Sequence, residues 1–361
     1  MAGSETTMSK EGDSKGNRPS KPGAPASLAT LSKFLELSPA AISRVLNGTP
    51  AARSIPTVTQ ERIFAAAKQF NYRPNVLARS LRRGHSMMIG VLVPEVSEGY
   101  ATAVLGGLEQ GLLQAGYVYI LISHHHRTDR VEAAQAMLME RSVDGIVAID
   151  TVLTTHVPLP TVTVSCPDEH EGITNIVLNH RRAAELAIDH LAGLGHTKIA
   201  VIRGQAFSSD TEPRWQAIKH AAARAKIHLN AKLVAQLEGE SPSHEPGYFA
   251  ARRLLASDTP FTAMFCFNDV SAIGAIRALR EAGLRVPQDC SVVGFDDVQS
   301  AAFQNPGLTT VRQPLRTMGT LAAETLVRQI ASPAAERGPA KQMMIDPELV
   351  VRESTAATKR R

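Results

Sequence analysis

The segment YRPNVLARSLRRG, Tyr72 to Gly84, sets Leu77 and Leu81 four residues apart and surrounds them with Arg73, Arg79, Arg82 and Arg83. Clustered guanidinium groups are phosphate chemistry, because their forked N–H donors match anionic oxygens. The leucine spacing is helical, yet a helix this short is marginal alone in water, where roughly 12–15 residues are needed. An outside surface must complete it. The charge balance says which kind: residues 1–85 carry 13 Lys and Arg against 5 Asp and Glu, net +8, while the other 276 residues carry 26 against 29, net −3. A basic head on a mildly acidic body points to a polyanion, nucleic acid first and a membrane surface second. A solvated basic tail is the bland alternative. Only Lys10, Lys15, Arg18 and Lys21 fall within the Gly-, Ser- and Pro-rich residues 1–26, which read as a disordered tail.

Other chemistry is thinly represented. His124, His125 and His126 suggest a metal tract, but three adjacent histidines cannot converge on one ion without further ligands, so a solvated loop is expected. Cys166, Cys266 and Cys290 are odd in number and far apart, which indicates neither a disulfide framework nor a zinc site. GxSxG, P-loop, HExxH and GxGxxG patterns are missing, so an enzyme is not expected and no cofactor is assigned. The N-terminus lacks an apolar signal segment and no run of about 18 apolar residues occurs, so a cytoplasmic protein without membrane contact is expected. That also argues against a transport binding protein.

The elements that would position these residues can be read from periodicity. Leu28, Leu31 and Leu35 form one helical stripe, and Ile42, Val45 and Leu46 a second that starts at Ser38 as N-cap with Pro39 in the first position. A third helix is expected from about Thr57 to Asn71, carrying Ile63, Ala66, Ala67 and Phe70, with Thr57 or Thr59 near its cap. Two short helices joined by a tight turn are the helix-turn-helix pattern. A small helical bundle for protein contacts has the same pattern. After His85 the chain alternates apolar strands (MIGVLV, VYILIS, DGIVAI, TVTV, KIAVI, AMFCF, CSVVGF) with amphipathic helices, which predicts α/β lobes whose parallel sheets are covered on both faces.

In combination and in order, SPAAISRVLNG, YRPNVLARSLRRG, MMIGVLVPEV, LGHTKIAVI, VVGFDD and LTTVRQP resemble the lactose-repressor (LacI/GalR) family of bacterial transcription regulators, from about Ser27 to Arg352. The resemblance implies an all-α helix-turn-helix head and a two-lobed periplasmic-binding-protein-like body, bound as a dimer, or a tetramer, to a pseudo-palindromic double-stranded DNA operator. It places Ser38 and Ser43 at phosphate and Pro39, Ala40 and Arg44 at base edges, with Asn47 exposed beside them among the DNA-binding residues. Arg53 in a lengthened loop is available to phosphate, and Tyr72, Asn75, Ala78, Arg79, Leu81 and Arg82 belong to a hinge segment. In that hinge Leu81 would wedge between base steps while arginines neutralise phosphates. Two residues depart from the family pattern: Glu36 stands at its usual turn glycine and Ser32 at its usual small alanine.

The implied domains are a tail (1–26), the helix-turn-helix (27–73), a hinge helix (74–84), an N-terminal lobe (85–178 and 313–333), a C-terminal lobe (179–312 and 334–354) and a tail (355–361). Ligands of open parallel sheets bind beyond the strands' carboxyl ends. That rule and the resemblance together nominate Tyr100, Ser123, Ser165, Arg214, Asn268, Asp296 and Gln313 as contacts of a small, carbohydrate-like effector. Arg214 with Asp296 would supply the donor and acceptor for a hydroxyl pair. Asn268, Asp269, Asp296 and Asp297 could instead cap helices, Asp269 above all. Between Gly239 and Tyr248 no ring is found, which favours a sugar acid over a hexose. A protein co-regulator in place of the small ligand is the alternative reading.

Overall fold

The computed structural model describes residues 27–72, 84–97, 99–153, 157–166, 172–239, 242–332 and 342–358. The hinge candidates Asn75, Ala78, Arg79, Leu81 and Arg82 and the N-terminal tail lie outside them. The chain divides into two compact units, one ending at Gly84 and the other beginning at His85.

The head is a three-helix unit: α1 (Leu28–Leu35), α2 (Pro39–Leu46) and α3 (Thr57–Gln69), with a 3-10 turn, Pro50–Ser54, in the lengthened loop. Its core is one layer of small aliphatics, Leu31, Leu35, Ile42, Val45, Ala52, Ile63 and Ala66. Ser27 caps α1 by accepting the Thr30 amide, and Ser38 caps α2 by accepting the Ala41 amide with Pro39 following. Neither Thr57 nor Thr59 caps α3. Pro56 precedes the helix without a side-chain cap, and both threonines lie within it. The inserted turn is stitched to α3 by Gln60, whose Nε2 donates to the carbonyls of Ala52 (3.1 Å) and Ile55 (2.8 Å).

The two departures from the family pattern explain one another. Glu36 ends α1 in the left-handed region (φ 56°, ψ 36°), a conformation that costs a residue with a Cβ about 1–2 kcal/mol. Ser32 is placed to offset this. Its hydroxyl donates to the Leu37 carbonyl at 2.6 Å while its own carbonyl accepts the Leu37 amide at 3.3 Å, so both ends of the turn peptide are held. The turn therefore keeps its left-handed geometry without glycine.

The body contains two six-stranded sheets. The first runs β11-β5-β4-β3-β1-β2 and is parallel throughout: β1 Met88–Val93, β2 Val118–Ser123, β3 Gly145–Ile149, β4 Thr161–Val164, β5 Thr174–Leu178 and β11 Gln342–Ile345. The second runs β12-β10-β9-β8-β6-β7: β6 Ile199–Arg203, β7 Val234–Gln236, β8 Ala263–Cys266, β9 Ser291–Asp296, β10 Thr309–Arg312 and β12 Glu348–Val350. It is parallel except for the antiparallel β10–β12 pair. Helices α4 (Tyr100–Gln114), α5 (Thr128–Glu140) and α11 (Leu315–Ala331) serve the first lobe. The second lobe carries α6 (His180–Gly193), α7 (Thr211–Arg224), α8 (Glu245–Leu255), α9 (Asp269–Glu281) and the short α10 (Gln299–Phe303). Helices α4 and α11 cross so closely that a Cβ at Gly107 would overlap the Arg316 carbonyl, and this contact fixes the helix that begins with Tyr100.

Two expected boundaries change. Strand β11 pairs with β5, from Gln342 opposite Asn175 to Ile345 opposite Leu178, so residues 342–345 complete the first sheet rather than the C-terminal lobe. A strand of four residues whose exposure simply alternates is too short for its pattern to reveal which sheet it joins. Nor are residues 355–358 a tail. The Ala356 amide donates to Ser291 Oγ at 3.1 Å and the Thr358 amide to the Leu194 carbonyl at 2.9 Å, while buried His196 reaches the Ala356 carbonyl. The chain thus crosses between lobes near Asn179, near Gln313 and again near Asp346. The first and third crossings are joined by Asn179 Nδ2 donating to Asp346 Oδ1 at 2.8 Å.

Ser32→Ala should destabilise the head by about 1 kcal/mol, the usual net worth of a hydrogen bond, and Glu36→Gly should stabilise it by a similar amount. Native-state hydrogen exchange of the α1–α3 amides in the full chain reads both, with faster exchange in the first variant and slower in the second.

Candidate functional site

Helix α2 presents Ser38, Pro39, Ala40, Arg44 and Asn47 to solvent, with Ser43 half-buried, and Arg53 is exposed on the 3-10 turn. Tyr72 packs against the head core instead of standing free. Asn47 folds back, its Nδ2 donating to the Ser43 carbonyl (2.7 Å) and Ser43 Oγ (3.1 Å). Arg44 makes no ion pair with any described residue, so its guanidinium is available to an external acceptor. This is a protruding helix whose exposed side chains are small at the N-terminal end and basic at the other.

In the body, a cavity between the lobes is lined from the first lobe by Glu95, Ser97, Tyr100, His126 and Asp150, and from the second by Phe207, Asp210, Arg214, Phe267, Asn268 and Asp296. Four expected residues, Tyr100, Arg214, Asn268 and Asp296, therefore meet there. Ser165 stands one step behind, accepting the Tyr100 hydroxyl at 2.8 Å, and Gln313 stands behind Asp296, donating Nε2 to Oδ1 at 2.6 Å. Ser123 is not among the lining residues. The cavity sits beyond β1, β3, β6, β7, β8 and β9, and the loop after β2 reaches it only through His126.

Arg214 organises the wall. It is 3% exposed, its guanidinium lies 3.7 Å from the Phe295 ring centroid and 4.4 Å from that of Phe267, and its Nη2 donates to Asp210 at 3.0 Å. Its Nη1 donates to the Phe267 carbonyl at 2.5 Å. Within the protein Arg214 is thus paired with Asp210, the residue four earlier at the start of its helix, while Asp296 lines the same cavity. Burial pushes the Asp210 carboxyl up, but His180 at 3.2 Å and Arg214 together more than offset this, leaving it below the ordinary carboxylate range. The two neighbouring carboxylates have less help. Burial, with Asp210 adding its charge, raises Asp150 to about 7 against the Ser209 hydrogen bonds and Arg214, and burial raises Asp296 to about 7 against Arg214 and Gln313. The Tyr100 hydroxyl is pushed well up by burial, then by Asp210, and stays a donor.

The capping part expected above all of Asp269 falls to Asn268, which also lines the cavity. Asn268 caps α9, its Oδ1 accepting the Ser271 amide at 2.9 Å in a reciprocal capping box. Asp269 does not cap. Fully buried, it accepts the Val298 amide at 2.9 Å and the Thr310 hydroxyl at 2.6 Å, tying the loop after β9 to β10. That loop carries Asp296 (φ 104°) and Asp297 (φ 57°), strained positions held from below by Asp269 and, at Asp297, by Arg312 and Arg352 at 2.6 Å each. Neither Asp296 nor Asp297 caps α10, which begins after Val298.

The histidine triplet is not a solvated loop. His124 is 3% exposed, hydrogen-bonded to Thr151, and burial first of all lowers its pKa to about 4. His126 stacks on Phe207 with ring centroids 3.9 Å apart. No group of residues able to hold a metal ion occurs among the described residues. The cleft is also richer in rings than the stretch before Tyr248 suggests, because Phe207 and Phe267 reach it from other loops. Asp150, Ser209, Asp210 and Phe207 were missed. Asp150 follows β3, so the strand-end rule could have found it, and Asp210 lies one helical turn before Arg214, whereas Phe207 carries no local signal.

Residues 188–355 match the family described as periplasmic binding protein-like domain. The chain is 32% identical over 337 residues to the HTH-type transcriptional repressor PurR of Vibrio cholerae, covering 91% of this chain and 98% of that protein. It is 31% identical to the Haemophilus influenzae repressor of the same name, again over 91% and 98%. The chain belongs to the LacI family. Its structure superposes on the lac repressor dimer bound to operator and the anti-inducer ONPF with TM-score 0.81 and 25% identity, covering 92% of this chain and all of that one. A LacI-family regulator of Enterococcus faecium with bound ribose gives TM-score 0.66 and 27% identity over 75% of this chain. Membership makes the protein a DNA-binding transcription regulator with a small-molecule effector and a helix-turn-helix head on a periplasmic-binding-protein-like body, as the resemblance in its motifs implies. Among the described residues no helix is long and apolar enough to cross a membrane.

Asp269→Ala should cost about 2–5 kcal/mol, since it leaves the Val298 amide and Thr310 hydroxyl buried without partners; thermal denaturation measures it. The pH dependence follows from Asp150 and Asp296. Their folded pKa values lie above the unfolded carboxylate value, so the folded body binds more protons between about pH 4 and 7 and loses stability as pH rises through that window. A double substitution, Asp150→Asn with Asp296→Asn, should flatten the slope of melting temperature against pH over that range.

Proposed function

We propose that the protein is a dimeric repressor that binds a pseudo-palindromic operator through α2 and the segment 74–84, and that a carbohydrate-like effector in the interlobe cleft sets its affinity for DNA. The observation that carries the DNA half is the surface of α2, with exposed Pro39, Ala40 and unpaired Arg44 on a helix-turn-helix inside a chain that matches PurR repressors over 91% of its length. In that role Arg44 takes a guanine through a bidentate contact and Ala40 offers an apolar surface to a thymine methyl. Ser38, Ser43, Arg53, Arg79 and Arg82 hold phosphates, and Leu81 wedges into the central step, with Asn75 and Ala78 at the close approach of two hinges. Two half-sites require two copies of the chain.

For the effector, the cleft supplies rings and hydrogen-bond acceptors, and structural neighbours are described as carrying cellobiose or ribose. The acidic lining works against a sugar acid: Asp150, Asp210, Asp296 and Glu95 share the cavity with one permanent cation, Arg214, which is already ion-paired with Asp210. A bound anion would meet uncompensated carboxylates at short range. Effector and operator affinities are linked reciprocally, so any weakening of DNA binding by the effector reappears as an equal weakening of effector binding by DNA.

Arg44→Ala should cost about 1–3 kcal/mol of operator affinity and relax preference at one base pair, and an unchanged binding motif would remove Arg44 from base recognition. Leu81→Ala should weaken operator binding while leaving effector affinity of the free protein intact. In a thermal-shift series, neutral and basic sugars should stabilise the body and uronates should not. Stabilisation by uronates alone would overturn this reading of the cleft.

A further inference from the structure

The cleft's donors and acceptors do not balance. Both terminal nitrogens of Arg214 are held, by Asp210 and the Phe267 carbonyl, the Tyr100 hydroxyl goes to Ser165, and the Asn268 side-chain oxygen is consumed by the α9 cap, which leaves Arg214 Nε and Asn268 Nδ2 as donors without a partner among the described residues. On the acceptor side, Asp150 uses Oδ1 for Ser209 and Asp296 uses Oδ1 for Gln313, while the second oxygen of each takes no hydrogen bond from a described residue. Gln313, 2% exposed, leaves Oε1 buried without a partner beside Asp296, and Arg214 leaves Nε in the same condition. The aromatic lining adds a second signal: Phe207, 40% exposed, presents a ring to the same cavity beside Tyr100. Buried carboxylate oxygens facing rings across a cavity are a setting that favours a cation over a neutral hydroxyl.

We propose that the effector of this cleft carries a protonated amine, seated between Asp150 of the first lobe and Asp296 of the second with its carbon skeleton against Phe207. This rests on the reading of the cleft as the effector site. An ammonium brings three donors and one positive charge, which is what two half-satisfied carboxylates on facing lobes lack. Because it contacts both lobes, it also rewards their approach, and a neutral parent compound forfeits the charged part of that gain. Asp210 faces both carboxylates and is itself neutralised by Arg214 and His180; Glu95 and His126 are the remaining titratable groups on the wall, and Asp269 and Asp297 lie behind Asp296. Since Asp150 and Asp296 ionise near pH 7, an alkylammonium should bind more tightly at pH 8 than at pH 6, whereas an uncharged ligand should show no such rise.

The test is calorimetric titration of the full chain with matched pairs: glucosamine and glucose, galactosamine and galactose, putrescine and butanediol. The expected result is an amine that binds roughly tenfold or more tightly than its uncharged parent, the range of a charge-assisted hydrogen bond. For putrescine, whose amines stay protonated throughout, the preference should grow from pH 6 to pH 8; the amino sugars, which lose their proton just above neutrality, are compared with their parents at pH 6, and in every case the preference should vanish in Asp296→Asn. Asp150→Asn provides a second reading should the first variant fail to fold. A neutral sugar that binds as tightly as its amine overturns the proposal and leaves the cleft an effector site for uncharged ligands. Binding by none of the six compounds overturns it together with the carbohydrate-like reading of the effector, and operator binding, measured separately, is untouched by either result.

Discussion

One buried cation makes the effector cleft possible. Three aspartates, Asp150, Asp210 and Asp296, converge on the interlobe cavity, an arrangement that like-charge repulsion and desolvation both oppose. Arg214, sandwiched against Phe267 and Phe295, neutralises one of them outright and lowers the cost of the other two. The rings fix the guanidinium plane, and the Phe267 carbonyl fixes its rotation. Removing this one side chain would leave three carboxylates without a permanent cation among the described lining residues. A buried ion pair of this kind is a poor argument for stability, since hydrophobic replacements often do as well. Its value lies in holding acidic acceptors in a cleft that would otherwise fill with water or rearrange.

The same residues carry the contact between lobes. Ser209, from the second lobe, meets Asp150 at 2.6 Å and the Ser165 carbonyl at 2.8 Å, both from the first. The Ser209 hydroxyl has one hydrogen to share between the two acceptors, so how it is divided depends on whether Asp150 is ionised. Lobe contact, cleft charge and proton occupancy are therefore one equilibrium. Three chain crossings join the lobes, and two of them are tied together by Asn179 and Asp346.

Much of this could be read from residue patterns, and the exceptions share a cause. Helices α1 and α2 were legible because Leu31, Leu35, Ile42 and Val45 keep a strict helical repeat and Ser38-Pro39 marks a start. The central strands were legible because burial on both faces makes them continuous apolar runs. Strand β11 was not, for its alternating exposure says nothing about whether it pairs with β5 or with β10. Arg214 and Asp296 were recognisable from motif context, yet their true partners, Asp210 and Gln313, are set by helix phase and a crossover that no local pattern encodes. Asp269 looked like a helix cap because it begins a helix. Its role comes from Val298 and Thr310, distant in sequence and adjacent only after β9 and β10 pair. Glu36 and Ser32, read singly, were two departures; packed together they are one turn.

The account stands or falls on whether the head reads a defined sequence and the cleft controls that reading. The most direct measurement is genome-wide capture of DNA fragments by the purified full chain, with and without a crude metabolite extract. The prediction is enrichment of a single pseudo-palindrome whose recovery changes when metabolites are added. Fragments recovered without a common motif in either condition would contradict it, and would mean that the turn built from Glu36 and Ser32 does not present α2 to DNA as proposed.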